Sequence, residues 1–267
     1  MEPVLHGPAA WEHEVPRYGP VRKVAVISDV HTNVAALTAV LADIDRESPD
    51  LVVSCGDLTW GSQPDQTIAM MRALGDRALF VRGNGERAVL EISDGSRPAQ
   101  TPREQWVPAQ HDADSVSFVA TIPFTLVIDI TGLGPVRFCH GSPRGDTEIV
   151  TPGTPADRFG ELSADIAEQI LVTGHTHIQF DRRVAGRRSV NPGSVGLPYH
   201  LGEPGTAYWA MLGPDVELRH TRYDVTPAAG VGDEVGDPGA DTIRDLLLTP
   251  PTPAQITEDG ERRVFSD

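Results

Sequence analysis

The sequence predicts an α/β fold, with helices packed on a parallel sheet and a functional site at the sheet's carboxyl edge. Three observations predict it. Short apolar runs at residues 23–28, 51–54 and 78–81 alternate with helical patterns, and such alternation marks a parallel sheet. Each run ends in a polar block, Asp29-Val30-His31, Gly56-Asp57 or Gly83-Asn84-Gly85-Glu86, at the edge where ligands gather in these sheets. Later runs end the same way, at Cys139-His140-Gly141 and Gly174-His175-Thr176-His177.

Taken in order, residues 1–20 hold four prolines and little apolar periodicity, and read as an extended N-terminal arm. After the first strand, Asn33 can cap a helix that carries Val34, Leu37, Val40, Leu41 and Ile44 on one stripe. A second helix starts near Pro64, a favoured first-turn residue, and turns Ile68 and Met71 inward. Residues 87–123 break the rhythm with a polar, proline-containing stretch and then a helix near 114–120, so they are expected to form a lid-like excursion over the site. Strands resume at 124–130, 136–139, 170–172 and 188–190. A hairpin is expected from 206–212 and 216–223, turned by Gly213-Pro214-Asp215. These later strands imply a second sheet packed on the first. The main domain is placed at residues 21–224. Residues 225–267 read as a loosely attached acidic tail, rich in proline and glycine, with one short helix candidate at 242–248.

Composition narrows the function classes. The formal net charge is −16, and the segment from Asp224 to Asp267 accounts for −7 of it with ten acidic and three basic residues. Such a surface cannot displace counterions from a long polyanion, which argues against nucleic acid as partner. Two cysteines, Cys55 and Cys139, are too few for a secreted disulfide framework. Residues 1–20 lack a basic start followed by an apolar run. No stretch approaches the ~18 apolar residues of a membrane span. A cytoplasmic protein with no membrane association is expected.

Asp29, His31, Asp57, Asn84, His140, His175 and His177 make a nitrogen/oxygen donor set without thiolate. Asp29 and His31, two apart on an extended segment, point to one side and can grip one cation. The two oxygens of Asp57 can bridge a pair of ions. The set favours two divalent transition-metal ions, manganese first, with iron, zinc, cobalt or nickel as alternatives, over calcium or magnesium. Two dications and two carboxylates leave a site of roughly +2, which attracts a phosphate anion despite the acidic surface. Ions ~3.5–4 Å apart can generate hydroxide near neutral pH for in-line attack on phosphorus. A lone histidine at a strand end is more often structural than a ligand; it is the joint pattern that points to a metal centre.

The series Asp29-x-His31, Gly56-Asp57, Gly83-Asn84-x-Glu86, His140-Gly141 and Gly174-His175-x-His177 resembles the calcineurin-like metallophosphoesterase superfamily, over roughly residues 23–223. Asn191-Pro192-Gly193-Ser194-Val195-Gly196 resembles its small bacterial and archaeal members. The resemblance implies a four-layer α/β/β/α sandwich of two mixed sheets flanked by helices, with a binuclear metal site at strand ends. It implies a phosphatase or phosphodiesterase, in which Asp57, Asn84 and His140 belong to the catalytic machinery. Asp29, His31, Asp57 and His177 would hold one ion, and Asp57, Asn84, His140 and His175 the other. The expected partner is a small phosphorylated substrate or a phosphoprotein. A non-catalytic scaffold, like the retromer subunit that shares this fold, and a nuclease are the rival readings.

One departure stands out. Many members place a histidine after the motif asparagine to assist the leaving group, and this chain has Gly85. General acid catalysis contributes about 10²–10⁴-fold, so esters whose leaving groups need little protonation are expected to be favoured, and Gly85→His suggests itself as a test. Tyr199 and His200 are candidate substitute donors. Asn33, Arg144 and His200 are the candidate substrate contacts, with Arg144 able to meet a phosphate through its planar fork. Helix capping for Asn33 and a solvated loop for Arg144 explain those residues equally well. Glu86 is expected to support the asparagine loop, and both cysteines to fill the core.

Overall fold

The computed structural model describes residues 14–266. In chain order its first half runs β1 (Arg17–Val21), β2 (Val24–Ile27), α1 (Val34–Glu47), β3 (Leu51–Cys55), α2 (Pro64–Arg72), β4 (Ala78–Val81), α3 (Asn84–Ser93), α4 (Pro102–Trp106) and α5 (Ala113–Ala120). The second half runs β5 (Thr125–Ile130), β6 (Gly134–Cys139), α6 (Ala156–Leu162), β7 (Ile170–Val172), β8 (Gln179–Val184), β9 (Arg187–Pro192), β10 (Thr206–Leu212), β11 (Val216–Arg222), α7 (Thr226–Val235), α8 (Ala240–Leu248) and α9 (Pro253–Arg263).

The strands form two mixed sheets, ordered β11-β10-β2-β3-β4 and β1-β5-β6-β7-β9-β8. Their inner faces meet in one core, where Val24, Val26 and Val53 of the five-stranded sheet lie with Ile128, Phe138 and Val172 of the six-stranded one. Because side chains alternate along a strand, Ala25, Ile27 and Val52 turn outward and pack with Leu37, Val40 and Ile44 of α1 and Met71 of α2. On the far side, Leu171 and Phe180 receive Phe159 and Leu162 of α6. The result is the four-layer helix–sheet–sheet–helix sandwich. Each fully buried Leu, Ile or Phe stabilises it by about 1.5–3 kcal/mol. Among the described residues no helix is long and apolar enough to cross a membrane.

Asn33 caps α1, its side-chain oxygen accepting from the Ala36 N–H, and Pro64 opens α2. Three expectations need correction. Residues 17–20 of the expected arm belong to a strand, because β1 pairs parallel with β5 and the Pro16 carbonyl accepts from the Val127 N–H; residues 1–13 lie outside the described part. The excursion at 87–123 is helical, and α3 begins at Asn84 itself. The segment beyond 224 is not loose. Helices α7 and α8 bury Ala228 and Leu247 beside Leu197, and Phe265 forms a β-bridge with Glu148.

Candidate metal centre

The ligand side chains sit where strands stop, and the backbone there is bent hard. Asp29, His31, Asp57, His175 and His177 have φ of 51°, 45°, 49°, 68° and 56°. Left-handed backbone at a non-glycine residue is uncommon and costs about 1–3 kcal/mol each when sustained by its surroundings. Five such residues in one place mark a strained, functional constellation. Glycine is needed beside them. At Gly56, with φ 90°, a Cβ would lie 2.3 Å from His140 Nδ1.

The seven predicted ligands converge. Asp29, His31 and His177 each bring a ligand atom within 4.8 Å of the others, and Asp29, Asp57 and His140 do the same. His31 Nε2 lies 3.1 Å from His177 Nε2. His140 Nε2 lies 2.9 Å from Asn84 Oδ1 and 3.1 Å from His175 Nδ1. Asp57 spans the two groups, with Oδ2 3.7 Å from His31 Nε2 and Oδ1 3.5 Å from His140 Nε2.

Hydrogen bonds outside the cluster set which nitrogens face inward. His31 Nδ1 contacts the Trp60 carbonyl at 3.1 Å, His140 Nδ1 that of Cys55 at 2.8 Å, and His177 Nδ1 that of Leu197 at 2.7 Å. Each ring therefore donates through Nδ1 and turns a lone pair at Nε2 inward. Lone pairs facing each other at about 3 Å repel unless a proton or a cation stands between them. Asp29 Oδ1 is buried and makes no well-directed hydrogen bond, with His177 Nε2 facing it at 3.3 Å, whereas Oδ2 accepts from Ser28 Oγ at 2.5 Å and the His175 N–H at 3.0 Å. A buried carboxylate oxygen set against an imidazole nitrogen, among inward-facing imidazole and amide donors, fits divalent cations.

The electrostatics agree. Burial pushes the Asp57 carboxyl up to about 7; His140 opposes the rise, and Glu86 and Asp29 add to it. Burial drives His31 and His175 down to about 3, reinforced by the neighbouring imidazoles of His177 and His140 respectively. Burial also disfavours charge on Asp29, yet His177, His140 and His31 outweigh it and hold the carboxyl well below the usual carboxylate range. For His140 and His177 the burial penalty is overcome by the facing carboxylates, and both imidazoles are raised. Positive charge is stabilised between Asp29 and Asp57, where cations would sit.

The remaining sequence candidates part company. Asn33 is engaged on every side: its oxygen caps α1, and Nδ2 donates to Gly196 O and Tyr223 Oη, both at 3.0 Å. The fork of Arg144 grips Glu148, Nη2 at 2.5 Å and Nε at 3.3 Å, which engages two of its three guanidinium nitrogens. His200 packs against Tyr208 and accepts from the Gly202 N–H at 2.9 Å. Tyr199 stacks on His177, ring centroids 5.0 Å apart, and burial pushes its phenol up to about 12. At Gly85 a Cβ would fall 2.7 Å from Trp60 Cβ and 2.9 Å from Asp57 Oδ1. The Gly85→His exchange is therefore closed off sterically.

Supporting residues escaped sequence reasoning. Asn191 donates to Gly174 O at 2.7 Å and Thr176 Oγ1 at 3.1 Å, which fixes the histidine loop. Ser194 donates to Asp29 O at 2.7 Å. The Asn191-Pro192-Gly193-Ser194 turn was the one available signal for both. Ser28 and Trp60 carry none.

Sandwich and ligand cluster together define a metal-binding α/β protein of the metallophosphoesterase type. The calcineurin-like phosphoesterase superfamily domain matches residues 23–211, and the chain belongs to that family. An uncharacterized protein of Methanocaldococcus jannaschii is 28% identical over 229 residues, 77% of this chain and 89% of its own. The crystal structure of a metallophosphoesterase from Sphaerobacter thermophilus superposes with a TM-score of 0.66 at 24% identity, covering 84% of this chain and 98% of that one. A hypothetical protein from Pyrococcus horikoshii gives 0.71 at 18% identity, covering 86% and 99%. At these identities the solved structures speak for the fold alone.

Proposed function

We propose that the protein is a metal-dependent phosphoric ester hydrolase acting on small phosphorylated substrates in the cytoplasm. The observation that carries this reading is the convergence of all seven donors from both sheets, with Asp57 spanning the two groups and Asp29 Oδ1 facing His177 Nε2. Asp29, His31, Asp57 and His177 would hold one divalent cation, and Asp57, Asn84, His140 and His175 a second, with manganese the leading candidate. Bound there, the two cations would supply an ionised water near neutral pH and Lewis acidity toward the phosphoryl oxygens for in-line displacement. The protein's own part is to hold each imidazole in the tautomer that offers its lone pair, and to keep Asp57 placed between the two sets.

Family membership supports a phosphoesterase, and a complete donor set supports an active one over a scaffold, which has no use for it. The net charge of −16 supports a small ester over a long polyanion. Burial raises both thiols, Cys139 to about 12, in keeping with packing rather than redox chemistry. With Gly85 unable to donate a proton, aryl esters with stable leaving groups are the favoured substrates.

The test is hydrolysis of 4-nitrophenyl phosphate and bis(4-nitrophenyl) phosphate by the manganese-loaded protein. Activity is expected on at least one, lost on chelation, and reduced about a hundred- to a thousandfold in Asp57→Ala and His140→Ala, the scale seen when one electrostatic stabiliser is removed. Wild-type rates in both variants would refute the assignment.

A further inference from the structure

A cleft of about 300 Å³ opens directly beside His31. Its inner end is shared with the metal centre through His31, Thr32 and Gly196. Its lining is mainly apolar, from Ala35, Leu197, Ala228, Val231, Ile243 and Leu247, with Ser62, Gln63 and Glu234 as polar neighbours. Arg103 of α4 stands at the cleft, held by Asp237 through Nε at 3.0 Å and Nη2 at 3.2 Å. Its third guanidinium nitrogen, Nη1, makes no hydrogen bond to a described residue. Ala228, Val231, Ile243 and Leu247 of this lining lie beyond the family match, which ends at residue 211.

We propose that this cleft is the specificity pocket of the hydrolase, and that it selects phosphoesters carrying one compact apolar organic group. The inference rests on the hydrolase reading above. The organic group enters between α1 and the C-terminal helices while the phosphoryl group stays at the metal centre, and Arg103 Nη1 offers a charged donor to it. Three features support this occupant. The cleft is continuous with the candidate ligand His31, so the organic part of a molecule bound at the metals can reach into it. Its volume of about 300 Å³ lies at the small end of small-molecule sites, which suits one small organic group. Its apolar lining returns the transfer free energy of each methylene removed from water.

The experiment is calorimetric titration of the full-length, manganese-loaded protein with methyl-, propyl- and hexylphosphonate. These ligands are not hydrolysed, so the readout does not depend on turnover. Wild-type affinity is expected to rise about tenfold from methyl to propyl, from two buried methylenes, and further at hexyl. Val231→Trp, which fills the cleft from a half-buried position, should bind methylphosphonate as wild type does and lose the gain with chain length. Ile243→Trp, also half-buried, is a second filling variant if the first does not fold, and the wild-type series stands without either. A flat wild-type series, or a gain retained in the filled variants, would overturn the pocket while leaving the hydrolase reading intact. Failure of methylphosphonate itself to bind would count against the metal-centre reading, and the pocket would fall with it.

Discussion

Glu86 shows how much of the centre depends on a residue that touches no cation site. It is fully buried and accepts from the Asp57 and Gly83 N–H groups through Oε2, at 2.9 and 2.8 Å, and from Thr59 N and Oγ1 through Oε1, at 2.9 and 3.2 Å. It fastens the Asp57 loop to the start of α3. Glu86→Gln keeps the shape but turns an NH₂ toward two of those donors. Leaving buried donors unmet costs about 1–3 kcal/mol each. A loss of about 2–5 kcal/mol in unfolding free energy, with weaker manganese binding, is expected from denaturant titration and metal analysis; unchanged values in both would show that the Asp57 loop stands without it. Gly85→Ala belongs to the same scale. Its Cβ would press on Trp60 and Asp57, and overpacking of this kind costs about 1–3 kcal/mol, so a lowered melting temperature with impaired metal binding is expected. The seven ligands were legible because each lies in a block of one or two donors at a strand end. Among their supports Glu86 was legible too, but Ser28 and Trp60 were not. These two look like any strand or loop residue until the chain is folded around them.

Between elements, the least legible part of the fold was the C-terminal segment. Gly230 and Gly232 lie within α7, and glycine weakens a helix in isolation. The helix forms because Ala228 and Leu247 bury their faces beside Leu197, an effect of tertiary packing that local propensity does not carry. Strand β8 was missed for a related reason, since Asp181, Arg182 and Arg183 mask its alternation while pairing with β9 supplies its order. One ion pair ties the excursion to the C-terminal helices. Asp237 receives Arg103 and also Ser62 Oγ at 2.9 Å. Burial opposes ionisation of Asp237, but the Arg103 hydrogen bonds, the Gly239 N–H and the Arg103 charge outweigh it and lower its carboxyl below the ordinary value. A lowered folded pKa means the contribution is complete above about pH 4 and is lost as pH falls through the folded value. Asp237→Asn should therefore loosen α7 and α8 at neutral pH, read as faster amide hydrogen exchange at 226–248 with the sheets unchanged. Lowering the pH below the folded value of Asp237, itself under about 4, should erase the difference between variant and wild type. Equal exchange at pH 7 would show that the pair does not hold these helices.

At the scale of the whole molecule, the metal centre joins the two sheets. Asp29, His31, Asp57 and Asn84 follow strands of the five-stranded sheet, whereas His140, His175 and His177 follow strands of the six-stranded one. Cations held by both sets act as a clamp across the sandwich, present only in the folded state because the unfolded chain scatters the donors. A ligand that binds only the native form stabilises it by about 2.7 kcal/mol at a hundred times its dissociation constant. In a chain of 267 residues, about 2–4 °C of melting temperature accompanies each kcal/mol. Saturating manganese should thus raise the melting temperature by roughly 5–10 °C, and chelation should reverse the rise. Calcium should give a much smaller shift, since imidazole-rich sites suit transition metals. His175→Ala and Asp57→Ala should both blunt the manganese shift although they remove donors from opposite sheets, as a shared clamp requires. A shift that survives in either variant would mean that the cation is held by one sheet alone, and the sandwich would then be joined by its apolar core without help from the site.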